Sequence, residues 1–425
     1  MNKLFLLCSL LCSCTLWAQF IETDLQIRPR FEYRNGYKSF LAEDEAPAAF
    51  ISQRSRTGFR YVSNDLQVKF SGQSVGVWGD SPTMRLEDRH EFSVFEAYGQ
   101  YTSSSFMLRF GRQILSYDNQ RILGEVNWAQ QGQSHDAFRI SWRPADNHRL
   151  DLAFAYNAEA ESLFQIPYLV DSYQNMQFAW YHVNLSNSGI SFLLMNTGYE
   201  YDTLPEAREI GYLQTYGTYY NFVSSRLSGD LAIYGQTGFS HKRHLTAWYT
   251  GVNFNYRIND TWISGLGAEF LSGTNMYSDP EECLSFTPLF GTNHGFNGYM
   301  DYFYVGNHLN SVGLVDLSGR LAFTKPQFEV ALMPHIFSSE AKIVDARGNV
   351  LRKYLGTEID IAAVYKPKKD LQIHFGYSQM FGTIGLEVLK GAEVDEIQNW
   401  GWLMLSFSPE LFRYSRAEPA SPDVL

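Results

Sequence analysis

Arginine side chains recur at alternate positions in two stretches near the start of the chain. The members of this set are Arg28, Arg30, Arg34, Arg54 and Arg56. A guanidinium group stays charged at any physiological pH and holds a carboxylate through two parallel hydrogen bonds. A row of such groups can bind a carboxylated solute weakly at several successive positions, which is what conduction requires.

The stretch from Asp24 to Arg34 alternates between apolar and polar residues without a break. One parity carries Leu25, Ile27, Pro29, Phe31 and Tyr33, and the other carries Gln26, Arg28, Arg30, Glu32 and Arg34. A period of two is that of a β-strand and excludes a helix. An apolar face opposite a face rich in arginine predicts a wall between lipid and an interior that attracts anions.

The same parity can be followed onto later strands. We predict that the lumen is lined by Arg28, Arg30, Glu32, Arg54, Arg56, Glu96, Arg109, Gln113 and Arg139. Glu32 and Glu96 would orient the arginines. The alternative is that these arginines only pair with nearby acids and make the lumen polar. A further set of inward carboxylates, Glu269, Glu329, Glu358 and Asp360, predicts an acidic opposite side, which favours a pore for zwitterions or neutral sugars.

The first eighteen residues predict a secretory signal peptide. Lys3 precedes an apolar run to Trp17, and a cleavage site follows Ala18. Three of the four cysteines lie in this leader, so Cys283 alone remains and no disulfide can form within the mature chain. The sequence around Cys14 leaves lipidation of that residue as an alternative. No later stretch is apolar for long enough to form a transmembrane helix.

The overall composition favours a transmembrane β-barrel. Aromatic residues make up 16% of the 425 residues, 33 residues are glycine, and the mean hydropathy is only -0.25. Such values fit a barrel in which only alternate side chains touch lipid. The net charge of -11 argues against a nucleic-acid-binding protein. A secreted β-sandwich or β-propeller remains the alternative.

The spacing of turn-forming residues predicts the number of strands. About eight short turns alternate with nine longer connections, which implies an antiparallel up-and-down barrel of about eighteen strands. We expect short turns on the periplasmic side and long extracellular loops. The predicted organisation is a signal peptide (1–18), one barrel domain (19–407) and a C-terminal tail (408–425). The long loop from Gly273 to Asn310 could enter the lumen as a plug or lie over the mouth.

Several motifs of the first third of the chain resemble the alginate export family of bacterial outer-membrane β-barrels. They are QIRPRFEY (26–33), FISQRSRTG (50–58), VWGD (77–80), GRQ (111–113) with Asp118, Gln120, Arg121 and Trp128, and DAFR (136–139). The remainder matches in strand rhythm and in a count near the eighteen strands of the family. The resemblance implies an outer-membrane channel whose arginines handle a polyanionic uronic-acid polymer.

The sequence therefore predicts an integral outer-membrane protein that passively conducts anionic or carboxylated saccharides. A general diffusion porin is the alternative, and a plugged barrel with a structural or docking role is a third. We expect no enzymatic activity, no cofactor and no metal site. The expected partners are outer-membrane lipid, lipopolysaccharide, the anionic saccharide and the barrel-assembly machinery, without nucleic acid.

Overall fold

A computed structural model describes residues 20–42, 44–84, 92–168, 173–204, 207–240, 242–279, 281–304, 306–308, 311–391 and 398–416. The signal peptide and Cys14 lie outside these residues. The strands are β1 Phe20–Asn35, β2 Ala48–Ser63, β3 Leu66–Val77, β4 Phe92–Thr102, β5 Phe106–Gln113, β6 His135–Ala145, β7 His148–Tyr156, β8 Asn175–Leu185, β9 Ser188–Leu204, β10 Ala207–Val223, β11 Leu227–Ser240, β12 Arg243–Arg257, β13 Trp262–Leu271, β14 Glu282–Cys283, β15 Leu314–Lys325, β16 Phe328–Ser338, β17 Tyr354–Lys368, β18 Leu371–Gly382, β19 Gln398–Phe407 and β20 Glu410–Ser415.

Eighteen of the strands in the described chain close into an antiparallel barrel. Each pairs with its neighbour in sequence, with β13 pairing directly to β15, and β1 pairs with β19 to close the ring. Within this closing pair, Arg30 lies opposite Met404 and Tyr33 lies opposite Gly401. Closure leaves no unpaired sheet edge along the ring. The predicted fold class and strand number are confirmed.

Two short strands lie outside this count. β14 pairs in parallel with β12. β20 continues the direction of β19 and pairs with the start of β1, with Phe20 opposite Ser415. The Arg413 guanidinium donates a hydrogen bond to Glu22 at 2.7 Å. Part of the segment predicted as a tail therefore extends the sheet.

Each strand presents one face to the outside and one to the lumen. In β1, the outward Phe31 is 43% exposed, whereas the inward Arg28 is 5% exposed. Aromatic side chains recur on the outer face beside the short turns: Tyr101, Trp142, Tyr256 and Tyr365. This is the position of an interfacial aromatic belt in transmembrane barrels.

The strands are joined by short turns at one end of the barrel, the short-turn end, and mostly by longer connections at the other, the long-loop end. All eight predicted short turns separate strands. Long connections predicted at residues 202–209 and 240–246 are wrong in length. β9 extends to Leu204 and β10 begins at Ala207, and only residues 241–242 separate β11 from β12. The β9–β10 ladder continues to the pair of Asp202 and Arg208, and the β11–β12 ladder continues to the pair of Ser240 and Arg243.

Helical structure is sparse. A single α-helix of the described residues, α1 (Ile384–Lys390), lies in the connection between β18 and β19. A 3₁₀ turn covers Asn293–Gly295. Among the residues that the structure describes, no helix has the length and apolar character needed to cross a bilayer.

Candidate functional site

The connection between β5 and β6, here called the 114–134 segment, lies inside the barrel against the arginine face. The Arg28 guanidinium donates hydrogen bonds to the Asn127 carbonyl at 2.7 Å and the Ala129 carbonyl at 3.1 Å. Its Nε donates to Gln130 Oε1 at 3.1 Å. These contacts lie on the lumen side of β1, so Arg28 fixes the 114–134 segment against the strand.

Arg30 and Arg54 bind the same segment. Arg30 donates to the Trp128 carbonyl at 2.7 Å, and its guanidinium lies over the Trp128 ring at 4.0 Å. Arg54 donates to Asn127 Oδ1 at 2.9 Å and to the Gln130 carbonyl at 3.3 Å. Such charge-assisted bonds to carbonyl and amide oxygens satisfy the buried guanidinium group of Arg54 without a carboxylate. Three of the predicted pore-lining arginines thus hold a protein segment.

The two predicted orienting carboxylates differ in their surroundings. Glu32 is buried between Arg30 and Arg34, with ion-pair distances of 2.9 Å to each, and accepts a hydrogen bond from Trp400 Nε1 at 3.1 Å. Glu96 is half-buried on β4, and no hydrogen bond or ion pair to it occurs within the described part of the chain. The structure therefore brings Glu32, but not Glu96, into contact with arginine.

The remaining predicted residues lie further around the ring. Arg56 donates to Gln73 Oε1 at 3.0 Å and packs over the Phe95 ring at 3.4 Å. Arg109 donates to Gln100 Oε1 at 2.9 Å.

Arg139 lies directly opposite Arg109 across the β5–β6 ladder. Gln113 is fully buried and donates to the Ala137 carbonyl at 2.8 Å, so its amide supports the sheet. Arg112, on the opposite parity, faces outward and pairs with Asp136 at 2.7 Å.

Carboxylates line the opposite side of the lumen and meet a second inward segment. This 272–313 segment connects β13 to β15. Its Asn297 amide donates to Glu269 at 2.8 Å and to Asp316 at 3.2 Å. The backbone N–H of Met300 donates to Glu358 at 2.8 Å, and that of Tyr299 donates to Asp360 at 3.3 Å. Hence the acidic side, like the basic side, binds backbone and side-chain groups of an inward segment.

The two inward segments pack on each other in the lumen. Gly124 and Phe290 are joined by a backbone hydrogen bond of 2.9 Å, and the Thr292 N–H donates to the Gln120 carbonyl at 2.9 Å. The rings of Trp128 and His294 stack at 4.3 Å. Arg121 of the first segment forms a 3.0 Å ion pair with Glu269. Of the two alternatives for the long loop, the structure places it inside the barrel.

A lysine from α1 fixes the far part of the 272–313 segment. Its ammonium group, Lys390 Nζ, donates to the carbonyls of Tyr302 and Asn307. Burial away from water lowers the pKa of Lys390 to about 8, because the charged form loses hydration. This contact joins the connection after β18 to the lumen filling.

Several residues of this arrangement were missed by sequence reasoning. Asp316 and His335 lie 3.0 Å apart on inward positions of β15 and β16. Their parity in alternating strands was a usable signal. Arg121 lies in an irregular segment, where no periodicity tells which way a side chain points.

Comparison with known proteins places this geometry in context. Residues 24–383 match the family model described as alginate export. A search of curated proteins found no significant match. Among solved structures, the chain is similar to OccK9 (OpdG) of Pseudomonas aeruginosa, with 11% identity, a TM-score of 0.64 and coverage of 92% of this chain and 98% of that one.

Two further outer-membrane structures share the fold. A BenF-like porin from Pseudomonas fluorescens has 10% identity and a TM-score of 0.63, with coverage of 93% of this chain and 100% of that one. OccAB4 from Acinetobacter baumannii has 8% identity and a TM-score of 0.63, with coverage of 92% and 98%. Likeness at these identities establishes the fold of the barrel.

Proposed function

Because the chain belongs to the alginate export family and forms an integral outer-membrane channel, we propose that it passively conducts anionic or carboxylated saccharides. Its family and fold are those of a transport channel and of no enzyme class, so we assign it transport rather than catalysis. We assign the short-turn end to the periplasm and the long-loop end to the cell exterior, as is usual for bacterial barrels.

The observation that carries this proposal is the concentration of arginine on one side of the lumen. Arg28, Arg30, Arg54 and Arg56 lie on β1 and β2, and Arg109 and Arg139 follow on β5 and β6. A wall that carries charge of one sign raises the local concentration of ions of the opposite sign in a narrow water-filled passage. Where Arg28, Arg30 and Arg54 bind the 114–134 segment, their charge still adds to that field.

A second candidate, a diffusion porin for small solutes without polymer specificity, is supported by the acidic side. Glu269, Asp316, Glu358 and Asp360 face the arginines across the inward segments. A lumen with one positive and one negative wall favours solutes that carry both charges or none, since each wall attracts the ions that the other repels. The close packing of the two segments also supports the third candidate, a barrel with a filled lumen.

The protein is also proposed to contact lipopolysaccharide on its outer face and to be inserted by the barrel-assembly machinery. Both proposals rest on the exposed apolar belt and on the closed ring of strands.

Planar-bilayer recording distinguishes these functions. Under a salt gradient, the reversal potential of the wild-type channel should show anion preference, and uronate oligomers, but not neutral sugars, should block the current. Arg56→Gln removes a half-buried charge from the lumen and should reduce anion preference. Arg112→Gln removes the same charge from the outer face, 40% exposed beside Asp136, and should leave the reversal potential unchanged.

Each contrary result selects another candidate. Cation preference in the wild type would contradict the proposal that the channel conducts anions. Equal block by neutral and anionic sugars would favour the diffusion porin. The absence of any current would favour the barrel with a filled lumen.

A further inference from the structure

A cavity at the short-turn end of the lumen is lined by four arginines together with serine and other polar residues. Its volume is about 420 Å³, which is within the range of roughly 300–1,000 Å³ typical of small-molecule sites. The basic residues that line it are Arg109, Arg139, Arg143 and Arg149, here called the arginine vestibule. The polar residues beside them include Gln100, Thr102 and Ser103 at the turn between β4 and β5.

Two of these arginines face each other with no carboxylate between them. Arg109 and Arg139 are direct partners across the β5–β6 ladder and point to the same face. Like charges opposite each other on paired strands are destabilising. The partner of Arg139 on its other side is Ala153. The partner of Arg109 on its other side is Gln100, so neither direct cross-strand partner of this pair carries a compensating charge.

The carboxylate of Asp151, on the neighbouring strand β7, is already occupied. Asp151 accepts hydrogen bonds from Arg149 Nε at 2.8 Å and Arg149 Nη2 at 2.6 Å. The Tyr117 hydroxyl of the 114–134 segment donates to Asp151 at 2.8 Å. Arg149 is thus neutralised locally, whereas Arg109, Arg139 and Arg143 have no ion-pair partner among the described residues.

Arg139 is the strongest indication that this cavity binds a ligand. Its side chain is only 7% exposed, and its Nε is buried without a hydrogen-bond partner in the described part of the chain. A buried donor left unpaired costs free energy, and more so when it is charged. By contrast, the inward Arg320 on β15 forms an ion pair with Glu329, with 2.9 Å between its Nη2 and the carboxylate Oε1.

We propose that the arginine vestibule binds one carboxylate or phosphate group, held by Arg139 with Arg109 and Arg143. A guanidinium fork matches the two oxygens of such a group, and the hydroxyls of the neighbouring turn suit the rest of a sugar ring. In taking a saccharide carboxylate as ligand, the inference rests on the proposed function.

Calorimetry on the full mature protein in detergent tests this site. The probes are glucuronate, inorganic phosphate and, as the neutral control, glucose. Arg139→Gln should weaken glucuronate binding by about tenfold or more, which corresponds to losing a charge-assisted bond of ~1.5 kcal/mol. Arg320→Gln, which removes an inward arginine that already has a carboxylate partner, should leave the affinity unchanged.

The outcomes separate this site from the proposed function. Equal affinity in wild type and Arg139→Gln overturns the site, even if the reversal potential shows anion preference. Loss of binding in Arg139→Gln supports the site, even if the channel prefers cations. Phosphate binding without glucuronate binding supports the oxyanion site and removes the saccharide as its ligand. If Arg139→Gln fails to fold, Arg109→Gln carries the same expectation.

Discussion

Removing two arginines that hold the 114–134 segment should release it from the barrel wall. The double substitution Arg28→Ala with Arg54→Ala deletes the bonds to the Asn127, Ala129 and Gln130 groups described above. Bonds to a charged group contribute about 1.5–3 kcal/mol each, but bonds from one guanidinium are not independent. We therefore take about 2 kcal/mol per arginine. If the two effects were additive, the double variant would lose about 4 kcal/mol, which is an upper limit and corresponds to roughly a thousandfold in the open population.

Hydrogen exchange measured by mass spectrometry reports this opening directly. The amides of residues 127–133 should exchange faster in the double variant, and single-channel conductance in planar bilayers should rise because the lumen widens. Since Arg28 and Arg54 both contact Asn127 and Gln130, their effects should not add, and each single variant is measured as well.

Arg34→Ala is the matched control. Arg34 lies on the same strand and the same face, but it pairs with Glu32 at 2.9 Å and packs over Tyr37 at 4.3 Å. Its loss should leave exchange in residues 127–133 unchanged. If the double variant keeps wild-type exchange and conductance, the arginines do not hold the segment, and the reasoning fails.

Two other contacts give predictions of the same kind. Arg121→Gln leaves Glu269 buried without its ion-pair partner and should destabilise the packing of the two segments by about 3–5 kcal/mol. This loss should be seen as faster hydrogen exchange in residues 292–300. The control Arg320→Gln removes one member of a half-exposed ion pair and should have little effect on stability. The pKa of Lys390, about 8 in the folded protein and 10.5 ordinarily, means that opening the segment takes up a proton between these values. The free energy of opening should therefore rise as pH increases from 8 to 10.5, so hydrogen exchange in residues 299–308, corrected for intrinsic rates, should slow. Lys390→Met should abolish this trend. A trend that persists in that variant would contradict its assignment to Lys390.

The sequence predicted the wall of the barrel better than its contents. Strict alternation in β1 and the spacing of turn formers determine which side chains face inward, because a strand has only two faces. Arg28 and Arg139 were placed on the correct face for this reason.

The partners of those side chains could not be predicted. The contacts of Arg28 with Asn127, and of Glu358 with Met300, join residues far apart in sequence through irregular segments. Such segments have no period, and their path depends on the finished barrel around them. The prediction of an arginine-lined lumen therefore did not include the 114–134 segment, which Arg28, Arg30 and Arg54 bind.

The pairing of β1 with β19 and β20 constrains how the molecule is made. The first described strand cannot acquire its second neighbour until the last strands have been synthesised and delivered, so every earlier intermediate has two open edges. Such edges pair readily with other chains, and contacts between the ends of a chain form slowly. Pairing of β1 with β19 is thus the last step in closing the ring, and a truncation before Gln398 should yield chains that aggregate.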